Sequence, residues 1–187
     1  MTKTLDRANL IDLLRTRSYR TGSFTLASGK PSSFYIDARL TTMSGPRLEY
    51  IGRLGHEAIV DAGWSPRAVG GLTLGADPVA YAIAMASRRT ASPLDAFTVR
   101  KAPKDHGTGR LIEGCFSPTH PVVVVEDVLT TGGSALQAIQ AVSDAGGSVL
   151  GVVAVVDREE GGRAAIEKAG FTLRTLVRLA EVAEAPA

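Results

Sequence analysis

Two adjacent carboxylates, Glu126 and Asp127, are the strongest candidates for chemistry in this sequence. They follow an apolar run, Val122–Val125, and stand two residues ahead of a run of small residues, Thr130-Thr131-Gly132-Gly133-Ser134. Carboxylates accept hydrogen bonds from sugar hydroxyls, and small residues that open a helix offer free backbone N–H groups to a phosphate. A lone acid pair or a lone Gly-Gly is more often a solvated strand end or an ordinary helix entry. The whole arrangement from Pro121 to Ser134 instead favours a site for a phosphorylated sugar.

A second set of charged side chains lies ahead of this stretch, in a polar segment that also contains Gly107, Gly109 and Gly114. Cations suit a leaving diphosphate, and glycines allow the backbone of a loop to move. In isolation such a segment is also typical of a solvated basic loop. Next to a site for a phosphorylated sugar, the leaving-group interpretation is favoured. The basic or titratable side chains are Arg100, Lys101, Lys104 and His106.

Three common nucleotide and metal motifs are missing from the sequence. Ser28-Gly29-Lys30 is followed by Pro31 instead of the Ser or Thr of a Walker loop. Gly107-Thr108-Gly109 lacks the third glycine of a dinucleotide fingerprint. The three histidines lie far apart, so there is no zinc signature, and we expect no metal site built by protein side chains.

The composition is that of an ordinary globular protein, with 187 residues, 44% of them hydrophobic and 21% charged. This length predicts a single domain over residues 1–187. The net charge of +2 argues against a nucleic-acid partner, and no apolar run approaches the ~20 residues that span a membrane. The one cysteine, Cys115, excludes an internal disulfide, which is compatible with a cytoplasmic location.

The elements that position these residues follow an alternating pattern of strands and helices. Such alternation, with apolar strands, predicts an α/β fold with a mostly parallel, twisted sheet flanked by helices. Ligands of such sheets bind at the carboxyl ends of the strands, where the acids are expected. Residues 4–19 are predicted as a helix, and 24–26 with 34–37 as a hairpin. The repeat then predicts helices near 46–62, 78–88, 133–145 and 163–169, and strands at 68–71, 96–100, 122–125, 149–156 and 171–177.

The stretch Val122–Ser134 resembles the phosphoribosyl diphosphate signature of the type I phosphoribosyltransferases: four apolar residues, two acids, two apolar residues and a Thr/Gly/Ser loop. The resemblance implies that Glu126 and Asp127 hold the ribose 2- and 3-hydroxyls and that Thr130–Ser134 hold the 5-phosphate. The residues implied to contact phosphoribosyl diphosphate here are Glu126, Asp127, Val128, Leu129, Thr130, Thr131, Gly132, Gly133 and Ser134.

Two further stretches resemble the orotate phosphoribosyltransferase family, so that the similarity covers nearly the whole chain. Residues 24–30 with 34–37 are similar to its amino-terminal hood, to which about residues 1–40 contribute. Residues 100–107 are similar to its mobile catalytic loop. One departure is Ala27, where many members carry a substrate-contacting lysine; Lys30 stands three residues along, and Ala27 is left out of the site.

The resemblance implies a role for further residues. Arg100, Lys101, Lys104 and His106 would bind the diphosphate, and Lys104, His106 and Asp127 would form the catalytic group. His106 either donates a proton to the leaving diphosphate or serves only as its charge partner. Thr130, Arg158, Tyr35 and Ile36 would contact orotate, with Arg158 on its carboxylate. Ile36 is equally compatible with strand packing, and Arg158 with a surface pair to Glu159 or Glu160.

The segment Leu72–Pro78 occupies the place of the family's diphosphate-binding loop, between a strand and a helix. Gly75 and Ala76 would let backbone amides approach the ligand. The segment is also compatible with an ordinary turn in which Asp77 caps the helix, and both interpretations can hold together.

The reaction implied is transfer of a phosphoribosyl group from 5-phosphoribosyl 1-diphosphate to orotate, with Mg²⁺ held largely by the diphosphate and hydroxyls of the substrate. The family's loop crosses a dimer interface, which implies a homodimer here. Two alternatives remain: a phosphoribosyltransferase for another base, and a non-catalytic regulator that binds the phosphoribosyl ligand.

Overall fold

A six-stranded sheet and a separate hairpin organise the computed structural model, which describes residues 2–25, 31–102 and 111–184. The hairpin consists of β1 (Tyr19–Thr25) and β2 (Pro31–Ile36). The sheet strands are β3 (Ala68–Leu72), β4 (Asp95–Val99), β5 (Ile112–Gly114), β6 (Pro121–Leu129), β7 (Ser148–Asp157) and β8 (Leu173–Arg178). Their order is β5-β4-β3-β6-β7-β8, with β5 antiparallel to β4 and every other pair parallel.

Seven α-helices connect or flank these strands in the described part of the chain. They are α1 (Thr2–Leu13), α2 (Arg39–Thr42), α3 (Gly45–Asp61), α4 (Ala76–Ser87), α5 (Gly133–Asp144), α6 (Gly162–Lys168) and α7 (Leu179–Ala183), and a π-helical turn, Leu14–Ser18, follows α1. None of the helices in these ranges combines the length and apolar character needed to cross a bilayer.

The run Val122–Val125 shows why the centre of the sheet is apolar without interruption. All four valines are fully buried, because β6 lies between two layers of helices. Val123 and Val125 pack with Ile51 of α3 and Ile83 of α4 on one face. Val122 and Val124 pack on the other face, in a cluster that includes side chains of α5 and α6. Burial of each such side chain stabilises the fold by about 1.5–3 kcal/mol, so the end of β6 starts from a rigid base.

The hood is the hairpin β1–β2, and it carries one aromatic pair on each face. Tyr19 stacks on Phe34 with ring centroids 5.9 Å apart, and Phe24 meets Tyr35 at 5.7 Å. Neighbouring residues of a strand point to opposite faces, so Phe34 and Tyr35 cannot serve the same surface.

The predicted fold class, with its mostly parallel sheet and flanking helices, is confirmed. Several boundaries differ from the prediction. The first helix, predicted to reach residue 19, ends at Leu13, and β1 begins at Tyr19, five residues before the strand predicted at 24–26. The polar segment after β4 contains a short strand, β5, and a last helix, α7, follows β8. The turn at residues 26–30 lies outside the described residues.

The most important difference concerns the length of β6. The valine run predicted a strand that stops at Val125, with the acids at its tip, but β6 continues to Leu129. Glu126, Val128 and Leu129 pair in parallel with Ala154, Val156 and Asp157 of β7. The longer strand therefore places Glu126 within the sheet, beside β7.

Candidate active site

Glu126 lies inside the sheet near the carboxyl end of β6, where its residue is only 7% exposed. Burial, with a smaller contribution from the neighbouring charge of Asp127, raises the pKa of Glu126 to about 8. A carboxyl group with this pKa holds a proton at neutral pH, so it can donate a hydrogen bond as well as accept one. A sugar hydroxyl can use both functions.

Asp127 is partly buried and faces the turn that follows β3. A Cβ atom on Gly75 would overlap the Asp127 carboxylate, so any larger residue at that position requires the Asp127 side chain to move. Oδ1 of Asp127 accepts a hydrogen bond from the backbone N–H of Val128 at 2.9 Å. Burial raises the pKa of Asp127, while this hydrogen bond and the charge of Arg39 oppose the rise. The Asp127 carboxylate thus lies between the carboxyl end of β6 and the turn that follows β3.

The small residues after β6 form the entrance to α5. Gly132 is the N-cap residue and has a φ of +85°, a left-handed conformation that glycine adopts without strain. The carbonyl of Thr130 accepts a hydrogen bond from the backbone N–H of Gly162 at 2.8 Å, and Leu129 O accepts one from Arg158 N at 2.9 Å. Thr131, Gly133 and Ser134 are exposed. The amino-terminal end of α5 is therefore open to a phosphate and fixed against the segment that follows β7.

Arg158 follows β7 at the same edge of the sheet, and its side chain is only 7% exposed. Its guanidinium lies 5.2 Å from the ring centroid of Phe34 in the hood. Nη2 lies 2.6 Å from Glu160 Oε1, as the surface-pair interpretation expected, but not in hydrogen-bonding geometry. Nε and Nη2 are buried and have no hydrogen-bond partner among the described residues. A planar guanidinium with unused donors suits a carboxylate ligand.

The hood contributes a residue that the sequence-based prediction missed, Phe34, which packs on Arg158. The predicted residue Tyr35 is on the opposite face of the hairpin, 40% exposed, where it lines a cavity with Phe24 and Asp37. Ile36 is 6% exposed and belongs to the core, so its side chain packs beneath the hood. Because side chains alternate between the two faces of a strand, the sequence already indicated that Phe34 and Tyr35 point to opposite faces.

An ion pair at the base of the hood was also missed. Arg39 Nε and Nη2 donate to the two carboxylate oxygens of Asp37 at 2.7 and 2.9 Å. The hydrogen bonds from Arg39 are the main reason that the pKa of Asp37 is lowered, although burial works against them. The charge of Arg39 opposes the rise in the pKa of Asp127, whereas that of Asp37 adds to it, so this pair lies near the acidic end of β6. The signal in the sequence is the short spacing Asp-x-Arg, directly after the predicted hood strand.

The basic segment is described only in part. Arg100 and Lys101 line a cleft that they share with Thr73 and Thr98. Lys104 and His106 lie outside the described residues, so their proposed roles stay predictions. Asp77 does not cap α4, whose N-cap residue is Gly75; it accepts hydrogen bonds from Thr73 and Thr98 instead.

The carboxyl ends of four neighbouring strands therefore hold most of the predicted site. Arg100 follows β4, and the turn at Gly75 follows β3. The two acids and the Thr130–Ser134 loop lie at the end of β6, and Arg158 follows β7. Within the described ranges, no group of three His, Cys, Asp or Glu side chains could cage a metal ion. Mg²⁺ that enters with a diphosphate and keeps its waters needs no such cage, and the Asp127 carboxylate is a ligand of the hard type that this ion prefers.

Known proteins resemble this chain over nearly all of its length. The orotate phosphoribosyltransferase of Aquifex aeolicus is 47% identical over 182 residues, covering 95% of this chain and 98% of that protein. The enzyme of the same name from Mycobacterium tuberculosis H37Rv is 49% identical over 177 residues, covering 95% and 96%. The chain belongs to the orotate phosphoribosyltransferase family. No model of a protein family matches the chain.

A solved orotate phosphoribosyltransferase has the same fold. The crystal structure of the Mycobacterium tuberculosis H37Rv enzyme in complex with 5-phospho-alpha-D-ribosyl 1-diphosphate superimposes with a TM-score of 0.80 and 44% identity, covering 96% of this chain and 99% of that one. The membership predicted from residues 24–37, 100–107 and 122–134 is thereby confirmed, and the fold is that of a phosphoribosyltransferase.

Proposed function

We propose that this chain catalyses transfer of the phosphoribosyl group from 5-phosphoribosyl 1-diphosphate to orotate, giving orotidine 5-phosphate and diphosphate. The observation that carries the proposal is the meeting, at one edge of the sheet, of a sugar-phosphate site and the buried guanidinium of Arg158, whose Nε has no hydrogen-bond partner among the described residues. The relatives named orotate phosphoribosyltransferase, and the solved complex of one with the phosphoribosyl donor, support the same reaction.

The residues of the chain act by positioning and charge. Glu126 and Asp127 hold the ribose hydroxyls, and Thr130–Ser134 with the open end of α5 hold the 5-phosphate. Arg158 binds the orotate carboxylate, and Phe34 keeps the guanidinium in place from the hood side. These contacts fix the anomeric carbon between the base and the diphosphate.

The chemical step then needs no protein nucleophile. The bond between the anomeric carbon and the diphosphate oxygen breaks and its electron pair leaves with the diphosphate. The orotate nitrogen forms the new bond and loses its proton, which the departing diphosphate takes up. Arg100 and Lys101 offset the charge of the leaving group, and Lys104 and His106 are assigned the same task from the sequence. Mg²⁺, when bound with the substrate, would supply further charge neutralisation beside Glu126 and Asp127.

We also infer that the chain forms a homodimer. Tyr81 and Met85 lie one turn apart on α4, with side chains 55% and 61% exposed, and Leu74, just before this helix, is 56% exposed. Large exposed apolar side chains close together are typical of interfaces. Three statements stay predictions from the sequence: sharing of the 100–114 loop between subunits, action as one domain, and a cytoplasmic location.

The test is consumption of orotate by the purified chain with Mg²⁺ and 5-phosphoribosyl 1-diphosphate, compared with uracil, adenine and hypoxanthine at equal concentration. We expect turnover of orotate alone. Preferential turnover of a purine would favour a transferase for another base. Donor binding without turnover of any base would favour a regulator.

A further inference from the structure

Asp77 joins three segments of the candidate site through one carboxylate. Thr73 Oγ1 donates a hydrogen bond to Oδ2 at 2.7 Å, and Thr98 Oγ1 donates one to Oδ1 at 2.8 Å. Thr73 lies in the turn after β3, Thr98 lies one residue before the end of β4, and Asp77 itself is in the first turn of α4. One carboxylate therefore connects a turn four positions away with a strand residue 21 positions away in the sequence.

The two threonines belong to segments with a direct place in the site. The turn that contains Thr73 continues to Gly75, which lies against the Asp127 carboxylate. The strand that contains Thr98 leads to Arg100 and Lys101, and these two cations share a cleft with both threonines. Glu113 also lines the cleft, with Oε1 4.0 Å from Arg100 Nη1, and the two cations with the hydroxyl groups give the rest of the cleft the chemistry of a diphosphate site.

The backbone around this carboxylate is also hydrogen-bonded between the same segments. Thr73 N donates to Val99 O at 2.8 Å, and Arg100 N donates to Leu111 O at 2.8 Å. These bonds fix the distance between the turn and the strand end. They leave the side chains of the turn free to rotate, and the hydrogen bonds to Asp77 restrict that rotation.

A purely structural role would look different. An acid in the first turn of a helix stabilises it through the helix dipole, and it commonly caps the exposed backbone N–H groups. Asp77 makes no capping hydrogen bond, because the N-cap residue of α4 is Gly75 and no side-chain cap is present there. The threonine hydroxyls are not needed for the dipole effect, so they can be removed without disturbing it.

We propose that Asp77 is a positioning residue for the diphosphate: by holding Thr73 and Thr98 it keeps the turn at Gly75 aligned with Arg100 and Lys101. This inference rests on the proposed function, which supplies the diphosphate. Asp77 acts through these neighbours and does not touch the reacting atoms.

The first test is Thr98→Val, which replaces the hydroxyl by a methyl group of the same size. We expect the Kd for magnesium diphosphate, measured by titration calorimetry, and the KM for 5-phosphoribosyl 1-diphosphate to rise about tenfold. The KM for orotate should stay within about twofold, because the orotate site is two strands away. Thr98→Ser keeps the hydroxyl and should restore diphosphate binding.

Thr90→Val is the matched control. Its hydroxyl donates to Ser87 O at 2.8 Å at the far end of α4, so the variant loses one hydroxyl hydrogen bond of the same helix. We expect a Tm change similar to that of Thr98→Val and an unchanged Kd for magnesium diphosphate. If both variants weaken diphosphate binding equally, or if Thr98→Val leaves the Kd within twofold of the unmodified chain, Asp77 has no positioning role.

The double variant Thr73→Val with Thr98→Val tests the link itself. If Asp77 holds the two segments as one unit, the effect of the pair on the diphosphate Kd is smaller than the product of the single effects. If the double variant raises the diphosphate Kd by the product of the two single effects, the two threonines act independently and the inference is overturned. Calorimetry needs no turnover, so absence of orotate consumption by the unmodified chain contradicts the proposed function separately.

Discussion

Glu126 and Asp127 extend a strand whose four preceding valines are fully buried, whereas Phe34 and Tyr35 belong to a two-stranded hairpin whose residues are mostly exposed or half-buried. The first region, the acidic end of β6, is supported by β7, by the turn at Gly75 and by the core below. The hood is supported chiefly by its own strand pairing and two aromatic pairs. Substitutions at the acidic end of β6 should therefore change the free energy of unfolding more than substitutions in the hood do.

The largest expected effect is on stability at the end of β6. The pKa of Glu126 is raised to about 8 in the folded chain, whereas an unfolded glutamate titrates near ~4.3. Between these values the folded chain holds a proton that the unfolded chain releases, so the free energy of unfolding falls as the pH rises. Glu126→Gln should remove this dependence, which we expect to amount to roughly 4 kcal/mol between pH 5 and pH 8.5.

Urea unfolding at pH 5 and pH 8.5 measures this difference. Glu184→Gln, which changes an exposed glutamate, is the control and should keep the pH dependence of the unmodified chain. An equally steep loss of stability in Glu126→Gln would mean that this carboxyl is not the group responsible.

The next effect is on catalysis without loss of stability. Asp127→Asn should lower kcat/KM about 100-fold, since hydrogen bonds to a charged group contribute about 1.5–3 kcal/mol. The amide keeps an acceptor for Val128 N and avoids the burial of a charge, so the free energy of unfolding should not fall. Steady-state kinetics and urea unfolding measure the two quantities. Asp95→Asn, at the exposed amino end of β4, should change neither, and full activity of Asp127→Asn would remove this residue from the ribose site.

The smallest effect distinguishes the two faces of the hood. Phe34→Leu should raise the KM for orotate about fivefold, because it removes a cation–π contact of about 1 kcal/mol with Arg158. Tyr35→Leu removes an aromatic ring of the same hairpin from the other face and should change this KM less than twofold. The KM for the phosphoribosyl donor should be unchanged in both. A larger effect of Tyr35→Leu would restore Tyr35, the residue predicted from the sequence, as the main hood contact of orotate.

The sequence predicted correctly those elements whose structure depends on a few neighbouring residues. The valine run predicted a buried strand, and the glycines after Thr131 predicted the entrance to α5, because continuous apolar character and left-handed backbone are properties of a few neighbouring residues. The continuation of β6 through Glu126 and Asp127 was not predictable in this way. It depends on pairing with β7, which begins more than ten residues after β6 ends.

The missed parts of the site have the same physical origin. The contact of Phe34 with Arg158 and the charge of Arg39 beside Asp127 join residues that are roughly ninety or more positions apart. Thr98 and Asp77 are separated by 21 positions, and nothing near either residue indicates the other. Tertiary contacts of polar side chains are set by the assembled sheet, so their partners appear only in the structure.

The close approach of Gly75 to Asp127 has a consequence for protein engineering. Since a Cβ atom at position 75 would occupy the space of that carboxylate, the two positions cannot be varied independently. A library that randomises position 75 alone should yield almost solely glycine among active clones. If both positions are randomised, we expect larger residues at 75 only in clones that carry a residue smaller than Asp at 127. These clones lack the contact of Asp127 with the ribose.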